Sequence, residues 1–250
     1  WDGAWISLAD LIQRDPENIL GKEAARRFSN RLPFLFKILS AALPLSIQAH
    51  PDRAQARQGF ARENRLRIPP DDPSRNYRDD NHKPEILCAL TPFDALKGFR
   101  MAEDILALFE RVHVPALEKP LAQLRSPSRD MAGFFSALLA QTAENRKRAI
   151  SELMTHATPR DSSDPAFSWV TRLHQHFPDD IGVFAPLLLN LIHLEPGEAI
   201  YVDSGELHSY LQGAGVELMA NSDNVIRAGL TPKHADVPEL LRILRFEENQ

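Results

Sequence analysis

The sequence predicts an α+β fold in which one β domain, of meander or jelly-roll type, carries a large helical block inserted between its strands. Three observations lead there. Short apolar runs of strand character occupy residues 34–52 and 85–90. From about Asp94 to Pro186, apolar residues recur instead at three- and four-residue spacing, the period of a helix with one buried face. After Pro186 the short apolar runs return, split by "EPGE", "DSGE" and "QGAG", and turns at such close intervals mark antiparallel β structure. The expected division is 1–97 for the first part of the β domain with a leading helix, 98–186 for the helical domain, and 187–250 for the remaining strands and a closing helix.

Taken in order, residues 7–30 read as helical. Ser7 or Asp10 supplies a cap, and Leu8, Leu11, Ile12, Ile19 and Leu20 form a stripe broken near Pro16. From Pro33 the period changes, and "FLFKILSA" and "LSIQAHPD" read as two strands separated by Pro44. Residues 53–65 are charged and form a short helix, 67–84 are a polar, proline-rich loop, and "EILCAL" is a strand. The helical block carries stripes at Leu96, Phe99, Ile105, Leu106, Leu108 and Phe109, then at Met131, Phe134, Phe135, Leu138 and Leu139, then at Ile150, Leu153 and Met154. "DVPELLRILRF" closes the chain as a helix with Asp236 as cap and Pro238 in its first turn.

The 250 residues suffice for a substantial core. Apolar content of 43% and charged content of 25% are ordinary for a soluble globular protein. A net charge of −5 argues against nucleic acid as a partner, while leaving room for a local basic pocket. No apolar run approaches the ~18 residues of a membrane span, so no membrane partner is expected. Cys88 is the only cysteine, which excludes a disulfide framework and a zinc–thiolate site and suits a reducing, cytoplasmic setting. The chain begins "WDGAWISL", without methionine, signal peptide or transit signature, and reads as trimmed or partial.

Four polar residues sit where a strand would bury them. Gln48 and His50 are two apart, so they share a face, with Ser46 in the same row. Glu85 opens another strand, and His208 lies in a third. Two histidines, a carboxylate and an amide oxygen make a nitrogen–oxygen shell for a divalent metal, and an incomplete protein shell leaves room for water or substrate. Each residue alone also reads as a solvated or hydrogen-bonded side chain. Lys83 precedes Pro84, which favours an extended backbone and places it on the face of Glu85. It reads equally as a surface lysine. Glu217 sits in an apolar strand, and Asp223 and Asn224 in a loop. Arg227 offers a fork of donors for an oxyanion or phosphate, or a structural pair with Asp223. "GAG" at 213–215 is too short for a dinucleotide loop, and "HQH" at 174–176 lies in helical texture, where its imidazoles diverge.

Together "SIQAHPD", "NYRDDNHKPEILCALTPFDALKGFR" and "LHSYLQGAGVELMANSDNVIRAGLTPK", in this order, closely resemble type I phosphomannose isomerases, from about Leu8 to Phe246. The resemblance implies a cupin-type β jelly roll carrying a helical domain, and one zinc ion per chain. It implies an isomerase that interconverts mannose 6-phosphate and fructose 6-phosphate, a phosphorylated hexose as substrate, and a monomer. By motif position it puts the zinc ligands on Gln48, His50, Glu85 and His208, and the active-site arginine on Arg227. Acid–base or substrate-contacting roles fall on Lys83, Glu217 and Asp223, with His82 adjacent, and phosphate-side contacts on Lys37, Ser46 and Lys233. Such a reaction moves a proton between C1 and C2, and the base stays open between Lys83, Glu217 and a water on the metal. Two features depart from the family pattern: the leading strands with a Tyr-Ala-Trp-Gly-like block, and a β domain beyond the region of Phe246. Two other readings compete. One is a mononuclear iron oxygenase on the same barrel, since two histidines and a carboxylate suit Fe(II). The other is a sugar-phosphate-binding protein without catalysis.

Overall fold

The computed structural model describes residue 3 and residues 5–157 and 164–248. It opens with three short helices, α1 (Leu8–Arg14), α2 (Pro16–Leu20) and α3 (Lys22–Arg27). Ser7 caps α1 by accepting the Asp10 N–H at 3.0 Å. Next come β1 (Phe34–Ala41), β2 (Ile47–Ala49), α4 (Arg53–Arg65), β3 (Glu85–Ala89) and β4 (Phe93–Phe99). Helices α5 (Ala102–Val112), α6 (Glu118–Arg125), α7 (Met131–Leu139), α8 (Ala143–His156), α9 (Pro165–His176) and α10 (Ala185–Leu188) follow. The chain then returns to β structure with β5 (Leu189–Leu194), β6 (Ala199–Val202), β7 (His208–Ala220) and β8 (Ile226–Gly229), and closes on α11 (Val237–Ile243), capped by Asp236.

All strand pairings are antiparallel and converge on β7. Its first half pairs with β2 and β4, in a sheet ordered β5-β4-β7-β2-β8. Its second half pairs with β1 and β3, in a sheet ordered β1-β7-β3-β6. Strands from both sides of the helical block therefore lie side by side, which brings residues far apart in sequence onto one face.

Two expectations are corrected. "QGAG" is not a turn: β7 runs straight through it and passes from one sheet to the other. Gly213 makes the corner with φ +124°, and a Cβ there would stand 2.5 Å from the Phe93 ring and 2.7 Å from the Pro92 carbonyl. Backbone strain and overpacking both oppose a larger residue. Gly213→Val should lower stability by about 2–4 kcal/mol, measured by urea unfolding.

The second correction concerns residues 94–99, assigned by their spacing to the helical block but found in β4. A bulge at Gly98, with φ +64°, interrupts the two-residue alternation. Phe93, Ala95, Leu96 and Phe99 are all buried, so the local spacing imitates a helical stripe. Helix begins only at Ala102, and it extends to Leu188, two residues past the expected limit.

The helical block packs against the β5-β4-β7-β2-β8 sheet in one continuous core that includes Phe99, Ile105, Phe109, Phe134, Phe184 and Leu211. Phe109 and Phe184 stack at 5.8 Å, and each fully buried phenylalanine contributes roughly 1.5–3 kcal/mol. A smaller core lies between the sheets, built from Leu87, Ala89, Phe93, Ala95, Leu194, Ile200 and Tyr210. On β1, β7, β3 and β6 the row Lys37, Glu217, Leu87 and Ile200 shares one face, and the adjacent row Phe36, Leu218, Ile86 and Tyr201 faces out, exposed. Among the described residues no helix is long and apolar enough to cross a membrane.

Candidate metal centre

Three strands or their ends deliver the four central residues Gln48, His50, Glu85 and His208. Gln48 stands opposite His208 on one side of β2 and opposite Arg227 on the other. His50 follows β2 directly. Pro51 holds it extended, and Asp52 then starts α4 with a capping box to Gln55. Glu85 opens β3 and His208 opens β7.

His50, Glu85 and His208 are at most 1% exposed, and their ligand atoms all lie within 4.8 Å of one another. His50 Nε2 is 3.4 Å from Glu85 Oε2, and His208 Nε2 is 3.2 Å from Glu85 Oε1. The other nitrogens are committed: His50 Nδ1 meets the Asn224 carbonyl at 2.8 Å and His208 Nδ1 the Glu206 carbonyl at 3.0 Å. A carbonyl only accepts, so each ring in its neutral form carries its proton on Nδ1 and turns its Nε2 lone pair to the carboxylate. His50 Nε2 and Glu85 Oε2 have no hydrogen-bond partner. Converging lone pairs in a buried place demand a shared cation or extra protons. The donor set, two imidazoles and a carboxylate, suits zinc. The Tyr210 hydroxyl donates to Glu85 Oε1 at 2.9 Å, and burial foremost raises that phenol's pKa, keeping it a donor.

Gln48 is half-buried and turns its Nε2 to His208 Nε2 at 3.5 Å, while its Oε1 accepts from Ser46 Oγ at 3.2 Å. A half-turn of the amide would exchange the two atoms, and a hydroxyl accepts as readily as it donates, so Ser46 would serve either orientation.

Burial, reinforced by the charge of Lys83, holds the His50 pKa at about 4 against an ordinary 6.5. Burial alone would raise the Glu85 carboxyl, but contacts with His208 and His50 outweigh it and hold it well below its ordinary value. Both folded-state values lie below the unfolded ones. The unfolded chain therefore binds more protons on acidification: the stabilisation linked to His50 is lost as pH falls from 6.5 toward 4, and that linked to Glu85 only below its ordinary 4.5. The metal-free protein should lose at most about 3 kcal/mol through His50 as pH falls from 6.5 to 4, read from urea midpoints across that range.

Charged residues surround this centre. Lys83 is 8% exposed and its Nζ is 3.5 Å from Glu85 Oε2, on the shared face the extended backbone predicts. Glu217 is buried and pairs with Lys37 across β1 and β7 at 2.9 Å. Burial, then the negative charge of Glu85, pushes the Glu217 carboxyl up. Half-buried Arg227 is lowered by burial and by the charge of Arg78. Among the described residues no ion pair joins it to Asp223.

Three expected residues are not drawn into contact with the centre. Asp223 is exposed, and its N–H donates to Asp79 Oδ2 at 2.8 Å. Lys233 is exposed beyond β8, its N–H bonded to Thr231 Oγ1. His82 meets Arg53 at 3.2 Å and faces a cleft of about 470 Å³ that Arg31 and Arg57 also line. Burial and Arg53 lower its pKa. Reading the sequence missed Tyr210, although it follows His208 by two residues and so shares its face. It also missed Lys97, opposite His208 in β4 and 3.4 Å from Glu206, because that segment looked helical.

The family model described as the catalytic domain of type I phosphomannose isomerase matches residues 3–102, and the one for the family's helical insertion domain matches residues 118–189. The mannose-6-phosphate isomerase of Escherichia coli K12 is 44% identical over 248 residues, covering 98% of this chain and 62% of that protein. The rat mannose-6-phosphate isomerase is 37% identical over 260 residues, covering 98% and 57%. A crystal structure of mannose 6-phosphate isomerase with zinc bound superposes with a TM-score of 0.89 at 42% identity, covering 98% of this chain and 62% of that one. A variant of the phosphomannose isomerase of Salmonella typhimurium gives 0.90 at 42% identity, with the same coverage. This chain thus spans about three-fifths of the length of the relatives it matches.

Proposed function

The chain belongs to the type I phosphomannose isomerase family, and we propose that it holds one zinc ion and interconverts mannose 6-phosphate and fructose 6-phosphate. One observation carries the proposal: the Nε2 atoms of His50 and His208 converge on the buried Glu85 carboxylate while the Nδ1 atom of each ring is held by a backbone carbonyl. His50, His208 and Glu85 would hold the zinc, with the Gln48 amide oxygen as a neutral fourth ligand. Bound zinc supplies Lewis acidity toward the sugar's carbonyl and hydroxyl oxygens.

The chain's own residues do the rest. Tyr210 holds Glu85 in place by hydrogen bond. Arg227, half-buried beside Gln48, stabilises negative charge developing on the enediol oxygens. Glu217 and Lys83 are the proton carriers. The raised carboxyl of Glu217 gives it a protonated fraction nearer neutrality. Lys37 is half-exposed and, with Ser46, would contact the phosphate, whose remote binding energy orients C1 and C2. His82, Asp223 and Lys233 belong to the outer substrate contacts of this proposal. Lysine and arginine around the cluster favour a sugar phosphate over dioxygen chemistry at Fe(II).

Incubation with mannose 6-phosphate, with fructose 6-phosphate read by a coupled reduction, tests the proposal. Steady product formation is expected; zinc-loaded protein giving none would overturn it. Gln48→Glu sharpens the ligand assignment. A second carboxylate should keep the zinc but lower its electrophilicity, reducing kcat by roughly 10- to 100-fold. Full activity in that variant would remove the argument for a neutral ligand.

A further inference from the structure

Asn224 is fully buried and every polar atom of its side chain is used. Its Oδ1 accepts the N–H groups of Arg78 and Asp79 at 2.7 and 3.2 Å. Its Nδ2 donates to the carbonyls of Asp79 and Asn81, both at 2.9 Å, and to Asp79 Oδ1 at 3.2 Å. Its N–H is held by Ser222 Oγ, which itself donates to the Asn81 carbonyl. Its own carbonyl is the acceptor for His50 Nδ1–H. One residue therefore joins the segment that leads into Lys83 and Glu85 to the ring of His50, two parts of the centre that are otherwise separate in the chain.

We propose that Asn224 is a positioning residue of the metal centre, setting the His50 ring and the Arg78–Glu85 segment as one unit. This rests on the zinc reading of the cluster. A ring nitrogen is a good ligand only if its partner nitrogen is held at the right angle and its tautomer fixed. The Asn224 carbonyl does both, and the side chain stops that carbonyl from turning away. An amide fits because the segment presents two N–H groups and two carbonyls together, and an amide offers two N–H donors on one atom and an oxygen that accepts twice on the other, where a hydroxyl has a single donor.

Asn224→Asp keeps the size and the acceptor but loses the Nδ2 donor, with its bonds to the Asp79 and Asn81 carbonyls and to Asp79 Oδ1, and sets a carboxylate against Asp79. Zinc affinity, measured by competition with a chromophoric chelator, should weaken on the order of 10- to 100-fold. In the His50→Ala background the same change should add less than about threefold, because the linkage it breaks is already gone. A purely structural role would lower the unfolding midpoint and leave the zinc Kd of the folded protein unchanged, and that result would overturn the proposal. If Asn224→Asp does not fold, amide hydrogen exchange of the unmodified protein decides. Zinc should slow exchange at Arg78 and Asp79, and equal exchange with and without zinc would overturn the proposal. If the unmodified protein binds no zinc in the same titration, the zinc reading itself has failed.

Discussion

Replacing both His50 and His208 by alanine should abolish zinc binding and, with it, turnover of mannose 6-phosphate. Among the described residues the two rings supply the only imidazole nitrogens of the cluster, and both are buried. Elemental analysis should fall from one zinc per chain to none. The loss has a second consequence. Glu85 would remain buried with Tyr210 and Lys83 as its partners and without either imidazole, so its carboxyl should move up toward the protonated form. A double variant that keeps stoichiometric zinc would show that the ion sits elsewhere.

Arg227→Ala is the second large expected effect, and it differs in kind. Zinc content should be unchanged, because Arg227 contributes no ligand atom. The guanidinium, lacking a carboxylate partner among the described residues, is available to charge that develops during reaction. A donor used in this way is worth roughly 10²–10³ in kcat, about 2.7–4 kcal/mol. A fall in kcat with KM little changed would place its effect in the transition state, whereas a rise in KM alone would make it a substrate-binding residue. Unchanged turnover would remove Arg227 from the site.

Much of this was legible in residue types and spacing, and the failures have physical causes. Gln48, His50, Glu85 and His208 were visible because polar side chains in otherwise apolar strands need a reason to be there. Lys37 was conspicuous for the same reason, and β1 places it directly across from Glu217. The rest depended on contacts between distant segments. The bulge at Gly98 hid β4, and with it Lys97, behind a spacing that mimics a helix. The corner at Gly213 looked like a turn because a glycine pair marks both turns and sheet crossings. Asn224 carried no local signal, since its partners lie some 140 residues away and its contact with His50 runs through the backbone.

The loop at residues 67–84 illustrates the same point. Polar and proline-rich, it reads as a loop, and it is one held in place: Glu63 receives the Asn76 and Tyr77 N–H groups, Arg75 bonds the Tyr77 carbonyl at 2.7 Å, and the Tyr77 hydroxyl bonds Glu239 of α11. It is a braced segment that ends on Lys83 and Glu85, which is why loop residues can take part in a rigid site.

The most direct test is a zinc titration of turnover. Protein stripped with a chelator should convert no mannose 6-phosphate. Activity should return linearly with added zinc and break at one ion per chain. Full turnover by the stripped protein, or zinc bound at that ratio with no fructose 6-phosphate formed, would contradict the account.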